Sequence, residues 1–199
     1  MKKRVVVGVT GASGAIYGWR LLQKLRALPH VEIHLILSRP AEKTSQLEIG
    51  KLLADWKALA HHTYSNADIG SRLASGSFPT SAMLVAPCSI HTMSAIACGA
   101  SSNLVVRAAD VTLKERRRLV LMVRESPFHL GHLRSMVALS EMGAIIAPPI
   151  PGFYHNPSTL EQVVDNSVDR VLDLIGLPTP GAARWDDISD GEETHGEED

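Results

Sequence analysis

Apolar and polar positions follow two alternating periods along this chain. Short runs rich in Val, Ile and Leu at residues 4–9, 31–37, 83–86, 119–123 and 144–147 predict strands, and a weaker run at 61–64 predicts another. Between them lie helical segments at 13–28, 40–59, 103–116, 130–142 and 158–175, and a loop leading into a helix that Gly99 ends. In the first helix Ile16, Leu21, Leu22, Leu25 and Leu28 suit a buried face. The last helix is the best signalled. Ser158 and Glu161 have the spacing of a capping box, Leu160, Val164, Val168, Val171 and Ile175 share one side, and Gly176 stops it.

Strand and helix in repeated alternation predict an α/β protein. The expected architecture is a three-layer Rossmann-like (flavodoxin-like) fold, with a mostly parallel sheet and helices on both faces. Such sheets bind ligands at the carboxyl ends of their strands. Functional loops are therefore expected after Val9, Leu37, Ala86, Val123 and Ala147. One domain is expected over residues 1–177, followed by an arm at 178–185 and an acidic, disordered tail at 186–199.

Composition narrows the class. The 199 residues are 45% hydrophobic and 21% charged, with a formal net charge of -1, so nothing points to bulk nucleic-acid binding. Basic residues gather at 114–118 and acidic ones beyond 185. Cys88 and Cys98 form no CxxC pair and read as thiols of a reducing compartment. No run approaches the ~20 apolar residues of a membrane span. The basic, apolar N-terminus is broken by Gly and Thr and has no clear signal-cleavage site. A soluble cytoplasmic protein is expected, with neither nucleic acid nor membrane as a partner.

The stretch "VVVGVTGASGAIYG" joins the first strand to its helix. A Gly-rich turn in that place lets backbone amides approach a phosphate at the positive end of a helix. It also resembles the nucleotide loop of short-chain dehydrogenases, and a merely structural turn is a third reading. Against NAD, the second strand ends in Ser38 and Arg39 where an acid for the ribose is wanted. Those residues suit NADP or another phosphate better. The dehydrogenase pair of Tyr and Lys four apart is missing at Tyr17, Tyr64 and Tyr154.

Three further loops carry anion-binding groups. "PCSIHT" places Ser89 and Thr92 where a helix begins after a strand. "VRAADVTLKERR" sets Arg107, Asp110 and Lys114 on one helical face, which a solvated, salt-bridged surface would also explain. "VLMVRES" places Arg124 and Glu125 where a wholly apolar strand emerges. His61 with His62, His129 with His132, and His155 show no metal-ligand spacing with Cys or acid partners, and no metal is expected. Cys88 reads as a small buried side chain and not as a nucleophile.

Together "GASGAIYG", "PCSIHT", "RAADVTLKERRRLVLMVRE", "GFYHNP" and "RW" at 184–185 make the chain resemble the UbiX/Pad1 family of flavin prenyltransferases, known by an older name as phenylacrylic or hydroxyaryl acid decarboxylases. The similarity runs from about residue 3 to 185. The resemblance implies transfer of a dimethylallyl group from dimethylallyl phosphate to N5 and C6 of reduced FMN. The prenylated FMN would then serve a separate UbiD-type aromatic acid decarboxylase. It implies that Gly11, Ala12, Ser13, Ser38, Ser89, Ile90, His91, Thr92 and Arg124 hold FMN. Lys114, Tyr154 and Arg170 would bind the prenyl phosphate, with Arg107 reaching in from a neighbouring subunit. Lys114, Glu125 and Ser13 would serve the chemistry. A homododecamer with active sites at subunit junctions is implied as well.

Two positions depart from the family pattern: His91 stands where Lys is common, and Ser135 where Asn is usual. "DDISD" at 186–190 has the DDxxD spacing of Mg-dependent prenyl synthases, but it begins a polar tail instead of lining an apolar cavity. The alternatives carried forward are an NADP-binding short-chain oxidoreductase and a passive FMN-binding or assembly component of a decarboxylase. A peptidyl-cysteine decarboxylase of the same fold would want an Asn where "PCSIHT" stands.

Overall fold

The structure, a computed structural model, describes residues 2–182. Arg184, Trp185, the "DDISD" stretch and the acidic tail lie outside the described residues. Six strands build one sheet: β1 (Lys3–Val9), β2 (Val31–Leu37), β3 (His62–Ser65), β4 (Ala82–Cys88), β5 (Arg118–Val123) and β6 (Ile145–Ile146). Their order is β3-β2-β1-β4-β5-β6, with every neighbouring pair parallel. Among the described residues seven α-helices accompany them: α1 (Ala15–Arg26), α2 (Arg39–Ile49), α3 (Leu53–Leu59), α4 (Ile90–Ala97), α5 (Leu104–Lys114), α6 (Leu130–Glu141) and α7 (Leu160–Leu174).

Burial on both faces explains the continuous apolar strands. The run from Val5 to Val9 in β1 is buried throughout, as are all of β4 and the residues of β5 after Arg118. One face packs against α1, α2, α3 and α7 through Leu21, Leu25, Ala41, Trp56, Val164 and Val168. The other packs against α4, α5 and α6 through Met93, Ile96, Leu104, Val105 and Leu139. The strand order reverses between β1 and β4. That is the switch point at which a sheet of this kind opens a crevice for a ligand.

Several elements differ in detail from the sequence pattern. The α7 capping box lies one residue later than expected, on Thr159 and Gln162. The Thr159 hydroxyl accepts from the Gln162 amide at 3.2 Å, and Gln162 Oε1 accepts from the Thr159 amide at 3.2 Å. Ser158 is drawn in as an extra donor to that same Oε1, at 2.6 Å. Leu160 is 72% exposed and does not join the Val164, Val168, Val171 face, because it opens the helix before α7 reaches the sheet. The segment expected to be helical at 40–59 divides into α2 and α3 at Gly50, whose φ is 65°. β6 ends at Ile146. Ala147 still donates to Leu121 O, but Pro148 and Pro149 have no amide hydrogen to extend the ladder.

Helix α7 is fastened to α1 by charge. Arg20 makes a two-pronged contact with Asp165 at 2.7 and 2.6 Å, and Lys24 reaches Asp169 at 2.7 Å. Thr179 also donates to Asp169, at 2.5 Å, so the start of the C-terminal arm is tied to the same helix. Among the described residues no helix is long and apolar enough to cross a membrane.

Candidate active site

The site begins at the carboxyl ends of β2, β1 and β4, three adjacent strands. Their loops are hydrogen-bonded to one another. Ser38 N donates to Val9 O at 3.1 Å, and Thr10 N donates to Pro87 O at 3.3 Å. Thr10 Oγ1 donates to Pro87 O at 2.7 Å and accepts from Ser89 N at 2.8 Å. Ser13, Ser38, Ser89 and Thr92 thus follow the carboxyl ends of three adjacent strands.

Two of these hydroxyls open helices. Ser38 is the N-cap of α2 and accepts from Ala41 N at 3.3 Å. Ser89 caps α4, accepting from Thr92 N at 3.3 Å and donating to the Thr92 hydroxyl at 3.1 Å. Ile90, His91 and Thr92 form the first turn of α4, where the helix dipole favours an anion although the Thr92 amide is already held by Ser89. His91 is exposed. Gly11 is required by close approach: a Cβ there would stand 2.4 Å from Pro40 Cβ. Gly14 holds φ at 100°, a backbone that side chains disfavour, and turns the chain into α1.

The first turn of α1 departs from the phosphate-cradle expectation. Glu48, from α2, accepts from Gly14 N at 2.8 Å and Ala15 N at 2.9 Å, so those amides are engaged by the chain's own carboxylate. Burial alone would raise the Glu48 pKa. The Ser13 hydroxyl, the Ala15 and Gly14 amides and the positive charge of Arg124 outweigh it, and the group is held below its ordinary value. Burial raises the Tyr17 phenol, against the opposing charge of Arg124, and keeps it protonated. Arg124 therefore acts on Glu48 and Tyr17 at the mouth of the site, while its amide donates to Cys88 O at 3.0 Å. Glu125, next along, accepts from the Ser126 amide through Oε1 at 3.0 Å and is exposed.

Tyr154 and Arg170 stand on the wall of one cavity of 480 Å³ behind β5 and β6, which Met122, Pro148, His155 and Asn166 also line. Tyr154 is packed against His155, their ring centroids 3.9 Å apart.

Lys114 and Arg107 are placed elsewhere. Arg107 pairs with Asp110 at 2.5 Å on α5. Lys114 ends α5 beside Glu115, at 2.5 Å, next to Gly76 and just ahead of Arg118, the first residue of β5. Arg124 and Glu125 follow the last residue of β5, so the length of a strand, ~15–20 Å, separates Lys114 from them in one chain. Ser135 is half-buried on α6. Cys88 is fully buried and its thiol is pushed up to about 12 by desolvation, which leaves it inert as a nucleophile.

Thr10 and Glu48 belong to the site without a clear sequence signal. Thr10 is a lone hydroxyl at a strand end. Glu48 does leave a trace: an acid in the last turn of a helix opposes the dipole unless it has another partner.

Comparison with known proteins places the chain in a family. Residues 1–172 match the family described as Flavoprotein. The flavin prenyltransferase UbiX of Salmonella typhimurium is 52% identical over 178 residues, 89% of this chain and 94% of that one. A crystal structure of AnUbiX (PadA1) in complex with FMN and dimethylallyl pyrophosphate superposes with a TM-score of 0.91 at 43% identity, covering 93% of this chain and 98% of that one. A dodecameric FMN-dependent UbiX-like decarboxylase from Escherichia coli O157:H7 superposes at 0.90 with 47% identity, covering 92% and 98%. With half of its residues shared over nearly the whole fold, the chain belongs to the flavoprotein family and, within it, to the UbiX flavin prenyltransferases.

Proposed function

We propose that this protein joins a dimethylallyl group from dimethylallyl phosphate to N5 and C6 of reduced FMN, and that the prenylated FMN then serves a separate UbiD-type aromatic acid decarboxylase. The observation that carries this reading is the cluster of hydroxyls at the joined ends of β2, β1 and β4, beside the Arg124–Glu125 exit of β5. The donor set fits FMN: serine and threonine hydroxyls and a helix N-terminus suit a terminal phosphate, and the Gly11 turn gives close backbone approach. When bound, reduced FMN supplies the nucleophilic ring and a π-face that steadies an allylic cation.

The side chains take the remaining roles. Gly11, Ala12, Ser13, Ser38, Ser89 and Thr92 hold the flavin phosphate, Ile90 and His91 border it, and Arg124 faces the flavin from β5. Arg170 and Tyr154 hold the donor phosphate, and cationic groups fixed before the C–O bond breaks stabilise the anion that leaves. Glu125 takes a proton through Oε2, the oxygen not bound to the Ser126 amide. Glu48 and the protonated Tyr17 fix the polarity of the mouth.

Lys114 and Arg107 reach this site from neighbouring copies in a homo-oligomer, a dodecamer like that of the Escherichia coli relative. Leu130, Leu133 and Val137 on α6 are exposed and offer apolar surface for such an assembly. The main domain is taken to close at Leu177, the last residue of the described core. A cytoplasmic location fits the two unpaired cysteines.

The reading is tested by following inorganic phosphate. Anaerobic incubation with dimethylallyl phosphate should release phosphate only when reduced FMN is present. Release without flavin would make the protein a phosphatase, and no release under either condition, with the diphosphate tried in parallel and its pyrophosphate followed, would refute prenyl transfer. A passive flavin carrier would bind FMN and release nothing.

A further inference from the structure

A second polar cluster lies away from the flavin loops, on the face of the sheet near its β3 edge. Register places His34 of β2 directly opposite His62 of β3, and Glu32 stands two residues before His34 on the same face of its strand. His62 Nε2 is 3.0 Å from Glu32 Oε1, and His34 Nε2 is 3.4 Å from that same oxygen. The three ligand atoms all lie within 4.8 Å of one another. Zinc bonds of ~2.0–2.2 Å at tetrahedral angles set neighbouring ligand atoms ~3.3–3.5 Å apart, so modest closure suffices.

His34 makes this more than a polar contact. It is fully buried, and its Nε2 has no hydrogen-bond partner despite its nearness to Glu32. Its Nδ1 is 2.9 Å from the Tyr64 hydroxyl. In the tautomer that donates Nδ1–H to the Tyr64 oxygen, the Nε2 lone pair faces the carboxylate. Two acceptors then confront each other across a gap of cation size. A hydrogen bond from the far ring nitrogen is also the usual way of orienting a metal-binding imidazole.

We propose that Glu32, His34 and His62 form a site for one borderline divalent cation, zinc by its donor set. Two imidazoles and one carboxylate supply three ligands, and water from the exposed His62 side completes the fourth position. Phe78 packs edge-on against His34 and closes the dry side. Arg4, on β1, lies 3.4 Å from Glu32 Oε2 and turns Oε1 toward the histidines. Arg4 and Arg72 also bring positive charge to this face, which weakens the site without removing it. His61 is turned away, its Nδ1 accepting from the Ile33 amide.

The location gives the role. The flavin loops leave the carboxyl ends of the strands, whereas Glu32 and His62 stand at the amino ends of β2 and β3. The cation therefore fastens the four-residue edge strand to the sheet and takes no part in prenyl transfer.

The test is zinc titration of the full chain in competition with a chromophoric chelator. The wild type should bind one equivalent at this site. His62→Ala and Glu32→Gln should each weaken that equivalent at least ~tenfold, and His129→Ala should not change it. His62 is exposed, so its replacement leaves the core intact and avoids the folding risk of changing His34. Zinc should also raise Tm in the wild type and not in His62→Ala. Equal zinc affinity in wild type and His62→Ala would overturn the proposal, as would zinc binding that only His129→Ala removes or a wild type that binds none.

Discussion

The Ser89 amide donates to the Thr10 hydroxyl at 2.8 Å, across 79 residues of sequence, while the same hydroxyl donates to Pro87 O at 2.7 Å. One buried side chain thus closes the gap between the ends of β1 and β4, where the strand order reverses. Thr10→Val keeps the shape and removes both bonds. It should destabilise the protein by ~1–3 kcal/mol, the cost of leaving buried polar groups unpaired, and should weaken FMN binding because the Ser89 turn loosens. Thermal denaturation and flavin titration check both. Unchanged FMN affinity would show that the two loops hold position without this bridge.

Glu48 gives a pH prediction. Its folded pKa is depressed below the ordinary value of 4.5, against the effect of burial, by Ser13 and the Ala15 and Gly14 amides. A depressed carboxylate stabilises the fold above its unfolded pKa and loses that contribution as pH falls through the folded value. Tm of the wild type should therefore drop on acidification below about pH 4.5, and Glu48→Gln should flatten that limb while lowering Tm at neutral pH. Melting curves between about pH 3 and pH 7 decide it. A parallel fall in both proteins would remove Glu48 from the explanation.

The placement of Lys114 predicts complementation between subunits. Lys114→Ala and Glu125→Gln should each cut turnover by ~10²–10³ as pure oligomers, with FMN binding retained by the Lys114 variant. Oligomers assembled from a mixture of the two should regain measurable activity, because some junctions combine an intact Glu125 with an intact Lys114 from another copy. No recovery on mixing would contradict the trans arrangement.

Tyr154 and Arg170 share one cavity wall, and α7 is held against α1 by Arg20 and Asp165. A charge-assisted hydrogen bond contributes ~1.5–3 kcal/mol, so Arg170→Ala should weaken the prenyl donor by roughly tenfold or more. Tyr154→Phe should show a smaller loss, and FMN affinity should hardly move in either. Loss of FMN with unchanged donor binding would reassign this cavity to the flavin.

The sheet is legible in the sequence because its strands are buried on both faces. An unbroken run such as residues 119–123 has few other places to go, and the loops that carry Ser38, Ser89 and Arg124 follow from the ends of such runs. The finer differences have local causes. Thr159 competes with Ser158 for the same cap, and Leu160 fits the helical stripe while lying beyond the sheet that would cover it. Contacts between distant segments leave no periodicity to read. Thr10 reaches Ser89, Glu48 reaches the α1 amides, and His34 meets His62 only through the β2–β3 register. The resemblance groups Lys114 with Glu125, yet a strand carries the chain from one end of the sheet to the other between them.

The central claim is transfer of the prenyl group to the flavin itself, and the mass of the flavin tests it most directly. The protein is incubated anaerobically with reduced FMN and dimethylallyl phosphate, and the released flavin is weighed by mass spectrometry. The account predicts FMN heavier by one five-carbon unit, formed in wild type and strongly diminished in Glu125→Gln. Recovery of unmodified FMN alone, from a protein that binds both ligands, would contradict it.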